Sequence, residues 1–390
     1  MNKTLILLGI TVLALLLGGF AVLASASGVN GLRLYHNENF FVIRQAIWLG
    51  VGLVCFFSAA AFDYHRWRQI PTLTILLYVG VVALMAVVLF APAVKGSHRW
   101  LTFGPLRLQP SEFAKILSVL ASAVFLDRIG WRIEKFWKGA FPAVMIVGVL
   151  MVLAVVEPDF GATMVIGLAG FMMFLIGGMK IVHMGIMGGV GLLGVGTLLV
   201  FNRNRMNRIA GWLPDWLSSL MGVSPEAMAE NAAKDVNHQL NQALVAIRNG
   251  GVSGVGFTRS MQKQQYLPEA HTDFIFAIGA EELGLIFSLV LLALFITLFV
   301  CGIMISFRAP DRLGRLLAFG MTFLVVYQAI FNIGVVTGLL PTKGLALPFI
   351  SYGGTNLMTA MLAIGILFNV GRQIELPKPR PRSTISPVFA

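Results

Sequence analysis

Seventeen carboxylates and 29 Lys/Arg residues stand in a chain of 390 residues that is 57% apolar, and a few of them fall where water is scarce. Glu112 and Lys115 are three residues apart, hence on one face of any helix that holds them. Glu281 and Glu282 follow Asp273 by eight and nine residues, about 12 Å along a helix rising ~1.5 Å per residue. Ionisable groups at that depth are costly and face a polar cavity or a partner. They fit an internal ion pair, Lys115 with a glutamate, or a cavity that handles a charged substrate. Asp273 stands where its span enters the membrane. Its carboxylate there suits the positive end of a helix dipole, with Thr272 as the capping residue. It also suits a general base at the outer interface, facing the head group of a lipid-linked substrate. Glu269, His271 and Asp273 alternate, which leaves a divalent cation open, but the spacing is weak and no metal site is assigned.

Cations and rings gather in two further segments. Lys95–Glu112 holds Arg99 and Trp100: a guanidinium can grip phosphate oxygens in a fork, and an indole can stack on a sugar or sit in the interfacial belt. Leu340–Thr355 holds Lys343, two prolines and the pair Gly353-Gly354 within an apolar run, the pattern of a broken or re-entrant segment. Such backbone is tolerated at membrane depth only where protein or a wet cavity satisfies it. The candidate catalytic residues are Asp273, Glu112 and Lys115. Arg99, Trp100, Lys343, Glu281, Glu282 and His271 are the candidate substrate-binding residues.

The elements that must position them are membrane helices. Only 12% of residues are charged, which excludes a water-soluble globule. Nine uncharged runs reach 18 residues or more, each long enough to cross a ~30 Å hydrocarbon core. The uncharged stretch from residue 4 to 32 is longer than a signal-peptide core and reads as a retained first span. A tenth span over 111–127 is shorter, and the basic residues decide it. With ten spans, 15 Lys/Arg fall in cytoplasmic segments, seven in short outer segments and seven in the long outer loop. Removing that span reverses the bias, against the positive-inside rule.

The expected fold is therefore all-α and polytopic, with ten transmembrane helices, both termini cytoplasmic, and a large extracytoplasmic loop, 203–272, between helices seven and eight. Residues 1–372 form a single membrane domain, and 373–390 a disordered basic, proline-rich cytoplasmic tail. Within the loop, 225–248 has the spacing of an amphipathic helix, lying along the outer interface or packed on its own bundle. Gly250, Gly251, Gly254 and Gly256 then break it. Cys55 and Cys301 both lie in apolar runs and support neither a disulfide nor a metal site. The charge of +12 is spread over many loops, so anionic lipid accounts for it and nucleic acid does not.

Four strings in order resemble the SEDS family (shape, elongation, division and sporulation). They are Arg99 through Lys115, Glu157-Pro158-Asp159-Phe160-Gly161, Leu267 through Glu282, and Leu340 through Gly354. The resemblance covers roughly residues 5–372 and is closer to the division branch than to the elongation branch. It implies a peptidoglycan glycosyltransferase that polymerises lipid II outside the cytoplasmic membrane during septal wall synthesis. It also implies a class B penicillin-binding protein as partner, alongside other divisome proteins. The family's essential aspartate matches Asp273, its cavity Glu and Lys match Glu112 and Lys115, and its loop Trp matches Trp100. Asn237-His238-Gln239 departs from the family's usual Gly-Tyr-Gln, so no role is carried over to the middle of that loop.

Sugar transfer from a polyprenyl diphosphate needs a base for the acceptor hydroxyl and cations for the departing diphosphate. Asp273 is the expected base; Lys115, Arg99 and Lys343 are the expected cations, with Glu112 orienting Lys115. No nucleotide-binding glycine motif is present and no cofactor is called for. The rival readings are a lipid II flippase, an elongation-type polymerase and a non-enzymatic division scaffold.

Overall fold

The computed structural model describes residues 3–92, 99–103, 106–200, 233–264, 267, 270–341 and 344–374. Helices dominate. In order they are α1 (Lys3–Tyr35), α2 (Phe40–Ala61), the short α3 (His65–Gln69), α4 (Pro71–Val88), α5 (Pro110–Ile129), α6 (Phe141–Val156), α7 (Phe160–Ile176) and α8 (Ile181–Val200). After the residues outside the description come α9 (Ala233–Gly250), α10 (Ile275–Arg308), α11 (Arg312–Val336) and α12 (Gly354–Gln373). Pro71, Pro110 and Pro142 stand in first turns, where a missing N–H forfeits no helical bond. Asp159 and Asp311 cap α7 and α11 through the amides of Ala162 and Gly314, each at 3.0 Å.

Among the described residues, seven helical stretches are long and apolar enough to cross a membrane: α1, α2, α4, Phe136–Val156, α10, α11 and α12. α7 and the first part of α8 are apolar but shorter. α5 runs 20 residues through the doubtful stretch 111–127 and is buried along most of its length despite Glu112 and Lys115. It packs with α11 and α12 at the centre of the bundle. In their apolar windows 72% of α11 and 83% of α12 are buried inside the protein, against 22% for α2, α4 and α10, which turn broad faces outward.

Four details sharpen the expectation, three of them by departing from it. Residues Leu101–Phe103 and Leu106–Leu108 pair as a small antiparallel ladder, β1 and β2, too short to register as alternation in an otherwise all-α chain. Phe274, not Thr272, holds the capping position of α10, and no side chain caps it. The described part of the amphipathic helix is α9; residues 225–232 lie outside the described residues. It packs against α10 and α11, burying Ala243 and Ala246.

The fourth detail is a break inside α10 at Gly284, whose φ of 72° suits a residue without Cβ. The stretch 285–308 beyond the break is about 36 Å long at ~1.5 Å per residue and crosses a ~30 Å core unaided. Glu281 and Glu282 precede that stretch, on the turns of α10 ahead of the break. As the prolines and glycines require, 344–353 forms no regular helix, and it is buried at Leu345, Leu347, Phe349, Ile350 and Ser351.

Candidate active site

Glu112 and Lys115 lie on α5 facing α11 and α12, 7% and 1% exposed. Lys115 Nζ donates to Glu112 Oε1 at 2.7 Å and to Gln328 Oε1 at 2.7 Å. An ammonium has three donors, so one is left without a partner among the described residues. The second oxygen of Glu112 accepts from Asn356 Nδ2 at 3.2 Å and Thr359 Oγ1 at 3.3 Å, both on α12. A buried ion pair is costly unless further hydrogen bonds meet its remaining capacity, and Gln328 on α11 with Asn356 and Thr359 on α12 meet most of it. Of the two sequence readings, the internal ion pair is present.

Asp273 is half-buried just ahead of α10. Its backbone carbonyl accepts from Asn332 Nδ2 on α11 at 2.8 Å, and the same amide reaches Leu345 O at 2.5 Å. One turn earlier on α11, Gln328 Nε2 donates to Ala346 O at 2.8 Å. A Cβ placed on Gly344 would collide with Asp273 Oδ2, so the segment passes close to the carboxylate. The neighbours of Asp273 are held as well. Ser351 Oγ donates to Thr272 O at 2.6 Å, and Tyr352 N to His271 O at 3.0 Å. The His271 ring packs on Phe41 with centroids 4.6 Å apart.

The Glu157–Gly161 string joins the same region. Asp159 accepts from Gln109 Nε2 at 2.7 Å and Ser111 Oγ at 2.8 Å, tying the start of α7 to the start of α5. Gly161 abuts Leu345. Glu157 is fully buried in the turn between α6 and α7, both carboxylate oxygens without a partner. Burial first, and the charge of Asp159 second, push its pKa up to about 8. On the other side of the region, Thr355 Oγ1 on α12 donates to Arg107 O at 3.3 Å and accepts from Gln109 N at 3.2 Å, which seats the β-ladder on α12. Just ahead of that ladder, Arg99 and Trp100 are half-buried, and Arg99 Nε has no partner among the described residues.

Glu281 and Glu282 are elsewhere. Glu281 accepts from Ser260 Oγ and from the amides of Met261 at 3.3 Å and Gln262 at 3.4 Å. Glu282 Oε1 takes Lys263 Nζ at 2.8 Å and Ser25 Oγ at 2.6 Å. Glu282 is thus in an internal ion pair, with Lys263 rather than Lys115 as its cation, and Glu281 is held by a hydroxyl and backbone amides. Lys343 and Glu269 lie outside the described residues, and among those described no group of His, Cys, Asp and Glu is arranged to hold a metal. Sequence reasoning missed Gln328, Asn332, Asn356 and Thr359. The available signal was a set of amides and a hydroxyl at helical spacing inside apolar spans, where polar groups seek interhelical partners.

These features define a polytopic α-helical membrane protein in which Asp273 borders a buried, irregular segment between the last two helices and the Glu112–Lys115 pair is linked to that segment through Gln328. The chain belongs to the cell cycle protein family of FtsW, RodA and SpoVE, whose sequence profile matches residues 5–375. A probable peptidoglycan glycosyltransferase FtsW of Geobacter sp. (strain M18) is 34% identical over 363 residues, 92% of this chain and 94% of that protein. Stage V sporulation protein E of Bacillus subtilis (strain 168) is 35% identical over 368 residues, 94% of this chain and 96% of that protein. The fold is that of the rod shape determining protein RodA of Thermus thermophilus, with a TM-score of 0.67 at 25% identity, covering 95% of this chain and 97% of that one. A chain from a peptidoglycan synthase complex that coordinates polymerization and crosslinking has the same fold, with a TM-score of 0.71 at 24% identity over 95% and 98% of the two chains.

Proposed function

We propose that this protein polymerises lipid II into glycan strands at the outer face of the cytoplasmic membrane, in septal wall synthesis, beside a class B penicillin-binding protein. The observation that carries the reading is the setting of Asp273. A half-buried carboxylate lies against Gly344, its backbone carbonyl is hydrogen-bonded to Asn332, and the same face of α11 reaches the Glu112–Lys115 pair through Gln328. The name of the Geobacter relative, a probable peptidoglycan glycosyltransferase, points to the same chemistry.

Asp273 takes the proton of the acceptor sugar's hydroxyl as its oxygen attacks the donor's anomeric carbon. The bond from that carbon to the diphosphate breaks, and the lipid diphosphate departs with both electrons. Displacement from the opposite face converts an α-linked donor into a β-linked product. Lys115, through its unpartnered donor, and Arg99, through its free Nε, stabilise the negative charge that gathers on the leaving diphosphate. Trp100 offers a ring to a sugar, and Lys343 and His271 complete the substrate-binding set. Ten spans with both termini in the cytoplasm put this machinery on the outer side.

The test is purified protein, with and without its penicillin-binding partner, supplied with lipid II. Glycan strands resolved on a gel support the proposal. Transfer of the head group across vesicles without strand formation would replace it with a flippase.

A further inference from the structure

The segment that carries Asp273 is closed on itself. Lys263 and Glu282 are 19 residues apart and joined Nζ to Oε1 at 2.8 Å. Asp273 stands near the middle of the span they enclose, ten residues after one and nine before the other. Lys263 is 7% exposed and uses all three ammonium donors: on Glu282, on Ser25 Oγ of α1 at 2.9 Å and on Thr258 O at 2.7 Å. Beside it, the Glu281 carboxylate is held by the 260–262 turn. The backbone joins in where α10 breaks. The amide of Leu285 donates to Gly251 O at 2.9 Å, and the amides of Val255 and Gly256 donate to the carbonyls of Glu281 and Glu282 at 3.0 Å each. A Cβ on Gly254 or Gly284 would collide with the opposing backbone, so the two strands of chain interlock.

We propose that Lys263 is a positioning residue for Asp273. With Ser25 and Glu282 it clasps both ends of the segment 264–281 against α1 and fixes where the carboxylate stands. The inference rests on the polymerase reading of Asp273. The physical reason is loop closure: a segment pinned at both ends has far fewer conformations than one pinned at one end. A base displaced by about 1 Å can lose a factor of ~100 in rate. The competing account is that Lys263 only neutralises the buried Glu282 and that its loss destabilises the fold without bearing on the chemistry.

Three variants of the full-length protein separate the accounts: Lys263→Met, Lys263→Arg, and Lys263→Met combined with Glu282→Gln. Thermal melting, kcat and KM for lipid II, and hydrogen exchange over 264–281 are measured for each. Lys263→Met is expected to lower the melting temperature and to cut kcat by about tenfold or more with KM within about twofold, and Lys263→Arg to recover most of kcat. The double variant is expected to melt near the wild type, with kcat still depressed and exchange over 264–281 accelerated. Recovery of kcat together with melting in the double variant would overturn the proposal, as would wild-type kcat in Lys263→Met. If the wild-type protein makes no glycan, the polymerase reading fails by itself. Exchange then decides the clasp alone, and unchanged protection of 264–281 in Lys263→Met refutes it.

Discussion

Gln328 and Asn332 stand one helical turn apart on α11 and grip consecutive carbonyls of the buried segment, Ala346 and Leu345. Each has a second partner in the site. Gln328 accepts from the ammonium of Lys115, and Asn332 donates to the carbonyl of Asp273. One rigid helix face thus sets the spacing between the proposed base and the proposed cation. Replacing Gln328 by Leu strips Lys115 of one acceptor and Ala346 O of its donor. A loss of about 1–2 kcal/mol in stability is expected, on the scale of interhelical hydrogen bonds in membranes. A larger fractional loss should appear in kcat. Thermal melting and polymerisation of the same preparation read both, and an unaffected kcat refutes the coupling.

Asp273→Asn should abolish polymerisation, by about 100-fold or more, while the protein still inserts and binds its partner. Asparagine keeps the size of the side chain beside Gly344 and removes only its basicity. A variant that polymerises near the wild-type rate would exclude Asp273 as the base.

Lys115→Met should cut turnover by about 100-fold and Lys115→Arg should restore part of it, because the charge is kept while the geometry changes. Combining Lys115→Met with Glu112→Gln removes both charges of the pair. If Lys115 acts on the diphosphate, the double variant regains stability without turnover. Full recovery of turnover would reduce the pair to a packing device.

Gly344→Ala tests the close approach to Asp273. The added methyl group meets Asp273 Oδ2 directly, so activity should fall by at least about tenfold. Insertion and melting should change little, because the strain is local. Wild-type kinetics in this variant would mean that the carboxylate can move aside at no cost.

Glu157 makes stability depend on pH. Its carboxyl titrates near 4.5 when solvated and at about 8 in the folded protein. Between these values the folded state keeps a proton that the unfolded state releases, so stability falls as pH rises through the window and levels off above about 8. Melting temperatures from pH 4 to 9 should trace that decline, and Glu157→Gln should flatten it. An identical profile in the Gln variant would assign the dependence to another group.

Much of this was legible in the sequence. The doubtful span over 111–127 is a helix because Glu112 and Lys115, which depress its hydropathy, satisfy each other one turn apart. The broken segment was announced by its prolines and glycines. The partners of Gln328 and Asn332 were not legible, since they are backbone carbonyls 18 and 13 residues away, and any residue supplies a carbonyl. Lys263 looked like one of seven ordinary cations in a long outer loop. Depth measured along one helix cannot show that the cation for Glu282 returns from 19 residues upstream.

The break at Gly284 gives α10 two trades in one helix. Its lower 24 residues, 285–308, are enough to moor the chain in lipid. The upper turns, 275–283, carry no share of that mooring and owe their place to protein contacts alone, being largely buried and tied through Glu281 and Glu282 to residues 255–263. Whatever loosens those ties therefore acts on the upper turns alone and leaves the longer stretch beyond Gly284 undisturbed.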